Sequence, residues 1–454
     1  MFLSFVDHSL THFLDPLTLI AAVGEGETYG KALAFAITLV TIVIFTFAQL
    51  LGEIANRFGL PSVLGELIAG FILGVSGIHL LILGEGSTAD WAITAVQWLS
   101  GGDTAMVQGI FAGPVNILLN DYAASGVAVL LFKIGLEADL DELIKVGPQA
   151  ATVAVAGVFL PFILGFGGCI VLFHLPTIPA LFAAAALTAT SIGITSRIMQ
   201  DMGVLKTQEG QIILGAAVLD DILGIAILAI AIGIAEHGTV EVSSVFGTIV
   251  SATLFVLAAI ALNKFFGARY INFLDRFKNP YSFFVGAILF LSIMSMLASA
   301  IGLEGILGCF AAGIVLGKTS KTKALEKACD PLVALFTTIF FVTIGAKTDL
   351  TALDLTHADS RQGLVIALFL IVVAIAGKIA AGYCLRTSAR VNRLAIGTGM
   401  VPRGEVGLVF AGLGASVGAL TGSTNVAIVL MVIATTFVAP PMLRWAFTEN
   451  PETE

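Results

Sequence analysis

The sequence predicts an all-α, multi-pass membrane protein with about thirteen transmembrane helices. Of its 454 residues, 57% are apolar and only 12% are charged, and the mean hydropathy is +1.01. A soluble domain is typically about 25% charged, so this composition cannot cover a water-facing surface. The second observation is a series of thirteen apolar runs, most of them near the ~20 residues that a spanning helix needs.

Polar residues, or glycine and proline, separate the predicted spans from one another. The spans cover residues 32–52, 62–79, 124–137, 148–172, 178–199, 209–235, 245–269, 281–301, 303–319, 329–346, 363–387, 390–418 and 424–446. They form a single membrane unit over residues 1–450 in a lipid bilayer.

Lysine and arginine collect on one side of these spans. The loops after odd-numbered spans and the C-terminal tail hold sixteen of the 22 basic residues, whereas the opposite loops hold three. Cytoplasmic loops carry the excess of Lys and Arg in membrane proteins. The N-terminus is therefore predicted outside and the C-terminus in the cytoplasm. The long loop at 80–123, which has no basic residue, is predicted outside.

Charge and motif content exclude two broad classes of function. The formal net charge of -9 argues against a nucleic-acid partner, because a phosphate binder needs a basic patch. The sequence has no Walker A motif for ATP-driven pumping. No cofactor is expected.

Two pairs of segments indicate an internal repeat. Residues 64–74 match residues 307–317 at six of eleven positions, and residues 134–143 match residues 344–353 at five of ten. The members of each pair lie seven spans apart, an odd number, so the two copies cross the membrane in opposite directions. Inverted repeats of this kind are typical of secondary transporters.

The sixth span carries two adjacent acids, Asp220 and Asp221, near the predicted midplane. An ionised side chain there costs about 2.5–3.5 kcal/mol on insertion scales, so it needs a partner or a wet cavity. Adjacent helix residues diverge by about 100°, so one carboxylate can face a packed neighbour and the other a cavity. Lys378, in the middle of the eleventh span, is the expected counter-ion for one of them.

The fifth and twelfth spans are predicted to be broken. Thr188, Thr190 and Ser191 place three hydroxyls beside a glycine at mid-membrane depth. Such a cluster suits an unwound segment that lines a cavity, although ordinary Ser/Thr packing between intact helices is the alternative. In the twelfth span Pro402 removes a helix hydrogen bond, and nearby glycines ease a break. Broken helices at matching positions of two repeats indicate a substrate site.

Arg403 and Glu405 lie in the second break, where structural support is their preferred role. With Asp220, Asp221 and Lys378 they form a set with one surplus negative charge when fully ionised. Such a site attracts one monovalent cation or one proton, and competition between the two is the simplest route to an exchanger. Glu66, Lys133, Glu137, Asp139 and Glu304 are expected to close ion pairs or cap helices.

Four motifs carry a family resemblance. They are ATSIGIT (189–195), LGAAVLDDILG (214–224), GK (377–378) and PRGEVGL (402–408). Together they resemble the cation/proton antiporter superfamily, in particular its electrogenic bacterial NapA-type sodium/proton antiporters. The resemblance covers residues from about 50 to 440 and is expected to be closest to cyanobacterial members. The 80–123 loop departs from the compact family pattern.

The resemblance implies roles for the candidate residues. Asp221 would bind Na+ and the competing proton, with Thr190 and Ser191 as further Na+ ligands. Asp220 would pair with Lys378. Arg403 and Glu405 would stabilise the crossover of the broken twelfth span.

The resemblance also implies an architecture and a function. A core domain from helices 148–235 and 363–446 would move against a dimerisation domain from helices 32–137 and 245–346, in a homodimer. The expected activity is elevator-type, electrogenic Na+/H+ antiport, with Li+ accepted, in the bacterial inner membrane. An internal thylakoid membrane is the alternative if the host is cyanobacterial.

Three alternatives stay open from the sequence. A K+/H+ antiporter would use the same residues. An intramembrane aspartyl protease would also use two membrane carboxylates, but its dyad converges from separate helices, whereas Asp220 and Asp221 are neighbours on one. A channel lacks support, because buried ionisable groups suit stepwise exchange better than conduction.

Overall fold

The computed structural model describes residues 27–81, 88–237, 242–277, 282–347, 358–385, 391–404, 407, 410–411, 414, 418–420 and 422–448. Over those residues the chain is helical and contains no β-strand. Nine helices in the described ranges are long and apolar enough to cross a membrane, and three shorter apolar helices accompany them. The predicted all-α, multi-pass membrane class is confirmed.

Most of the helices overlap predicted spans, although several boundaries differ. In chain order they are α1 Glu27–Arg57, α2 Ser62–Leu73, α3 Asp90–Ser100, α4 Thr104–Glu137, α5 Leu140–Lys145, α6 Gly147–Val171, α7 Thr177–Ala186, α8 Ile192–Asp201, α9 Gln208–His237, α10 Val242–Leu262, α11 Ala268–Leu274, α12 Ser282–Ala300, α13 Gly305–Leu316, α14 Thr322–Ala346, α15 Ala358–Tyr383, α16 Arg393–Gly399 and α17 Gly422–Thr448.

The helix α1 shows how a spanning segment divides its surface between protein and lipid. Its buried positions include Ala32, Ala36, Val40 and Ile44, which repeat every four residues and so form one stripe. Its remaining surface stays apolar and exposed, as at Ile42. A helix that is apolar on its exposed face as well suits a lipid surrounding.

Packing between the repeat-paired segments supports the predicted inverted repeat. In the sequence alignment Gly70 corresponds to Gly313, and Gly135 corresponds to Gly345. In the structure a Cβ on Gly313 would lie 2.8 Å from Gly135 Cα, and a Cβ on Gly345 would lie 3.0 Å from Gly70 Cα. The contact between Gly313 and Gly135 is thus repeated between the equivalent residues of the other copy, Gly70 and Gly345. A two-fold relation between copies produces this reciprocal contact.

The interpretation of 80–123 as one long loop is wrong. Residues Asp90–Ser100 form α3, and α4 starts at Thr104 rather than near 124. Pro114 and its neighbouring glycine made this stretch look like a loop. In the structure Pro114 lies in a π-helical turn, Phe111–Val115, that joins two α-helical parts of α4. A π turn absorbs the missing proline donor without ending the helix.

Polar contacts join segment ends that the charge bias assigned to the same side. Ser62 Oγ donates to Asp201 Oδ2 at 3.1 Å, although the two residues are 139 positions apart. Lys133 pairs with Asp330 at 2.6 Å. Asp139 caps α5 by accepting from the backbone of the next turn. These contacts agree with the predicted alternation of spans, and the side that faces the cytoplasm stays a prediction.

Candidate ion-binding site

The acidic pair lies in the middle of the 30-residue helix α9, and both side chains are buried. Asp220 is fully inaccessible, and Asp221 is 4% exposed. Such placement in an apolar helix is expensive unless the charges are compensated. The compensation comes from another span, α15.

Lys378 of α15 forms a buried ion pair with Asp220. Its Nζ lies 2.9 Å from Asp220 Oδ2 and 3.1 Å from Oδ1. It also donates to the carbonyl of Thr188 at 2.8 Å. An ammonium group has three donor hydrogens, and these contacts account for them. The predicted counter-ion of the acidic pair is therefore in place, and Asp220 is the acid that it contacts.

A glycine on α6 makes room for Lys378. A Cβ on Gly157 would lie 3.4 Å from Lys378 Cδ and 3.5 Å from its Nζ. The lysine stem therefore runs directly over the bare backbone of α6. Sequence reasoning missed Gly157, because α6 contains several glycines and nothing in the pattern distinguishes this one.

Both predicted breaks are present. The helix α7 ends at Ala186, α8 begins at Ile192, and residues 189–191 between them are not helical, with Ser191 in an extended conformation. The helix α16 ends at Gly399, and residues 401–404 around Pro402 are not helical. Gly407 is again helical. Glu405 lies outside the described residues.

The two unwound segments bind each other through backbone and hydroxyl groups. Ser191 N–H donates to the carbonyl of Pro402 at 2.8 Å. The Thr190 hydroxyl donates to the carbonyl of Met400 at 3.0 Å, and the Thr195 hydroxyl donates to that of Gly399 at 2.9 Å. Each break frees carbonyls from its own helix, and the other segment satisfies them.

Thr190 and Ser191, the predicted ligands, lie at the centre of this crossover and are buried. The Ser191 side chain also caps α8, where it accepts from Ile194 N–H. A hydroxyl that donates its one hydrogen, as that of Thr190 does, keeps lone pairs for a further partner. Thr190 and Ser191 therefore lie two and three residues from Thr188, whose carbonyl accepts from Lys378.

Arg403 is buried at the same crossover and links it to two further elements. Its Nη2 donates to the carbonyl of Leu187 at the end of α7. Its own carbonyl accepts from the hydroxyl of Thr436 on α17. Within the described residues its Nε and Nη1 have no hydrogen-bond partner. Arg403 thus ties the second break to the end of α7 and to α17, and its structural role stays a prediction.

Thr195 and Thr436 are crossover residues that the sequence reasoning missed. Thr195 is the last residue of the ATSIGIT motif, and its hydroxyl satisfies a carbonyl on the partner break. A hydroxyl four residues beyond Ser191 on α8 was the available signal. Thr436 belongs to an unremarkable apolar span, so its contact with Arg403 appears only in three dimensions.

Comparison with known proteins gives a consistent result. The profile of the transmembrane sodium/hydrogen exchanger family matches residues 39–449. The chain is 45% identical over 444 residues to the high-affinity Na+/H+ antiporter NhaS3 of Synechocystis sp., with 96% of each chain covered. It is 31% identical over 409 residues to the Na+/H+-K+ antiporter GerN of Bacillus cereus, with 89% of this chain and 95% of that one covered.

A solved structure shares the fold. The sodium proton antiporter MjNhaP1 of Methanocaldococcus jannaschii matches with a TM-score of 0.60, over 91% of this chain and 97% of that one, at 16% identity. At this identity the likeness concerns the fold alone. The expectation of similarity to a cyanobacterial member is confirmed by the Synechocystis relative.

Proposed function

The chain belongs to the transmembrane sodium/hydrogen exchanger family, and from that premise we propose that it exchanges Na+ for H+ across the membrane by alternating access. The observation that carries this proposal is the buried carboxylate pair of α9 beside two crossed, broken helices. Lys378 holds one carboxylate, Asp220, in a direct ion pair. The protein acts as a secondary active transporter driven by ion gradients, without a cofactor or chemical catalysis.

In this proposal Na+ and H+ compete for Asp221. The ionised carboxylate binds Na+, and the protonated carboxyl does not, so loading one ion releases the other. A buried net charge at this depth costs about 2.5–3.5 kcal/mol. Reorientation of the empty, fully ionised site is therefore unfavourable, and uncoupled leakage is suppressed.

Oxygen ligands complete the proposed cation site. Hard cations bind carboxylate, hydroxyl and carbonyl oxygens. Thr190 and Ser191 supply hydroxyls in the unwound segment, and the positions of both are fixed by contacts with the second break. A ligand set held by two helices would change its access to either side when those helices move together.

The proposed moving part is a core domain from helices 148–235 and 363–446, which would shift against a dimerisation domain from helices 32–137 and 245–346. The packing supports the division in part: two buried clusters each stay within one proposed domain, whereas the largest joins residues of both, such as Val127 and Ile194. One buried cluster draws only on dimerisation-domain residues between 32 and 119 and between 339 and 346. Another draws only on core-domain residues between 169 and 189 and between 366 and 432. We propose elevator-type motion between them in a homodimer.

The stoichiometry belongs to the same proposal. With Lys378 able to exchange its proton during the cycle, two protons would move per Na+, and transport would be electrogenic. Potassium is the alternative substrate, since the Bacillus cereus relative GerN is a Na+/H+-K+ antiporter. The bacterial inner membrane is the proposed location, with an internal thylakoid membrane as the alternative.

Purified protein in liposomes tests the function directly. A pH dye inside the vesicles would report proton movement on addition of Na+, Li+ or K+, with the membrane potential clamped or free. We expect Na+ and Li+ to move protons and the rate to respond to the potential. Proton movement with K+ but not with Na+ or Li+ would identify K+ as the exchanged cation. No proton movement with any of the three cations would refute antiport.

A further inference from the structure

The helix α3 lies in the segment that the proposed transport mechanism does not use. It packs one face on the rest of the protein through Ala92, Ile93 and Val96. Trp91 and Trp98, seven residues apart and so on one side of the helix, are 45% and 84% exposed. Large aromatic side chains exposed in a pair need an explanation, because tryptophan is usually well buried.

The chain path places α3 at one end of the transmembrane helices. A backbone hydrogen bond of 2.8 Å ties Ala89 to His79, just after α2 ends. The left-handed turn at Gly101, with φ +73°, ends α3. Asp103 then caps the start of α4, a candidate span. The helix α3 therefore connects the short apolar helix α2 to the start of α4, a candidate span, and lies at the end of α4 where a bilayer boundary is expected.

Two further observations show the chemistry of the exposed face. The helix α3 carries one charged side chain, the exposed Asp90 at its first residue, whereas residues 91–102 contain none and 80–123 contains no Lys or Arg. The buried residues of α3 belong to a cluster that runs along α1 from Ala32 to Ala48, so the inner face of α3 is covered by protein and its tryptophan face is left outward. Tryptophan prefers the head-group level of membranes, where its ring is apolar and its indole N–H reaches a polar partner.

We propose that α3 is an interfacial anchor, in which Trp91 and Trp98 insert into the head-group region of the leaflet at this end of the protein. The partner is a lipid surface, recognised through indole burial rather than through charge. The anchor would hold the α1–α4 edge of the dimerisation domain at a fixed depth. This inference is independent of the transported ion.

Fluorescence quenching tests the anchor, because the chain has only three tryptophans. The variant Trp445→Phe, in otherwise complete protein, leaves Trp91 and Trp98 as the reporters. It would be placed in phosphatidylcholine vesicles brominated either near the head-group end or near the methyl end of the acyl chains. We expect head-group-end bromine to reduce emission about twofold and methyl-end bromine to have a smaller effect, as for side chains at the interface.

Matched variants assign the signal. The single-tryptophan forms W91F/W445F and W98F/W445F report each residue separately, and we expect the same depth order in both. The form W91F/W98F retains Trp445, which is 49% exposed near the end of α17 and serves as the folded-state control. Unchanged quenching in vesicles with added anionic lipid or salt is the expected sign of a charge-free anchor.

Three results would overturn the proposal. Strong quenching by aqueous iodide without quenching by either lipid would place α3 in water. Stronger quenching by methyl-end bromine would place the tryptophans within the hydrocarbon, as on a spanning helix. Protection from both lipid and iodide that vanishes on dilution of the protein in lipid would identify a second copy of the chain as the partner of this face.

Discussion

At the scale of single residues, the structure separates two acids that the residue pattern alone leaves equivalent, and it pairs Lys378 with the acid that the family resemblance implied. Lys378 is in direct contact with Asp220, so we assign the exchange of Na+ and H+ to Asp221. Asp221→Asn keeps the volume of the side chain and removes its charge. We expect proton movement on Na+ addition to fall to the level of protein-free vesicles, measured with an internal pH dye.

A matched substitution separates this effect from a general loss of charge. Asp121 lies on α4 and is exposed, so Asp121→Asn removes one carboxylate without touching the site. We expect wild-type exchange from it. Appreciable Na+/H+ exchange by Asp221→Asn would contradict the assignment of Asp221.

A second prediction concerns the ion pair of Asp220 and Lys378 and its contribution to the stability of the protein. Lys378→Met leaves Asp220 buried without its cation, and breaking a buried pair costs about 3–5 kcal/mol. We expect a clear fall in the thermal unfolding temperature in detergent. Replacing both partners, as in Asp220→Asn with Lys378→Met, leaves no unpaired charge and is expected to recover most of the loss.

The double variant also tests the proposed stoichiometry. Without Lys378 as a proton carrier, exchange is expected to continue through Asp221 but without net charge movement. Capacitive current on a solid-supported membrane would be lost, whereas Na+-driven proton movement would persist. Current per transported ion equal to the wild type would exclude Lys378 from the proton count.

At the scale of elements, the crossing of the two breaks depends on close backbone approach at Gly404. A Cβ there would lie 2.7 Å from Ser191 Oγ and 3.0 Å from its Cβ. Overpacking of this kind typically costs about 1–3 kcal/mol. We expect Gly404→Ala to displace Ser191 and to weaken Na+ activation about tenfold or more, at 1.4 kcal/mol per factor of ten.

The control for this prediction is a glycine outside the crossover, on the helix α4. A Cβ on Gly109 of α4 would meet nothing within 4 Å, so Gly109→Ala is expected to leave the Na+ dependence unchanged. The measurement is the Na+ concentration for half-maximal proton movement in each variant. An unchanged value in Gly404→Ala would show that the crossover tolerates displacement of Ser191.

The sequence alone predicted the elements whose signal is local. Pro402 and its neighbouring glycines indicated one break. The hydroxyl residues from Thr188 to Ser191 indicated the other. An acidic pair in an apolar run indicated the need for a cation. It did not predict α3 or the early start of α4, because Pro114 normally ends a helix and here lies in a π turn.

Contacts between distant segments were also beyond the sequence. The residue pattern did not say whether Lys378 contacts Asp220 or Asp221, and only the family resemblance implied Asp220. How α9 faces α15 decides that contact. The room that Gly157 gives to the lysine stem is likewise a property of packing. Pairing of the two breaks through Ser191 and Pro402 required the fold.

At the scale of the whole molecule, the proposed motion requires contacts between the core and dimerisation domains to break in each cycle. The helix α8, which carries the end of the first break, provides such contacts. Asp201 accepts from Ser62 of α2 at 3.1 Å, and Gln200 donates to Glu137 of α4 at 3.2 Å. Both pairs join residues that the proposed domain division places on opposite sides.

A cross-link across this boundary is the most direct test of domain motion. In a Cys384→Ser background, which removes the one exposed cysteine among the described residues, Ser62→Cys with Asp201→Cys would be joined by a short bifunctional thiol reagent. We expect the joined protein to lose Na+/H+ exchange and the unjoined double variant to retain it.

Lys133→Cys with Asp330→Cys is the matched pair within the dimerisation domain, at a native contact of 2.6 Å. Joining this pair is expected to leave exchange intact. Exchange that survives the Ser62–Asp201 link would show that α8 does not leave α2 during transport. The elevator motion would then be excluded while Na+/H+ exchange itself stood.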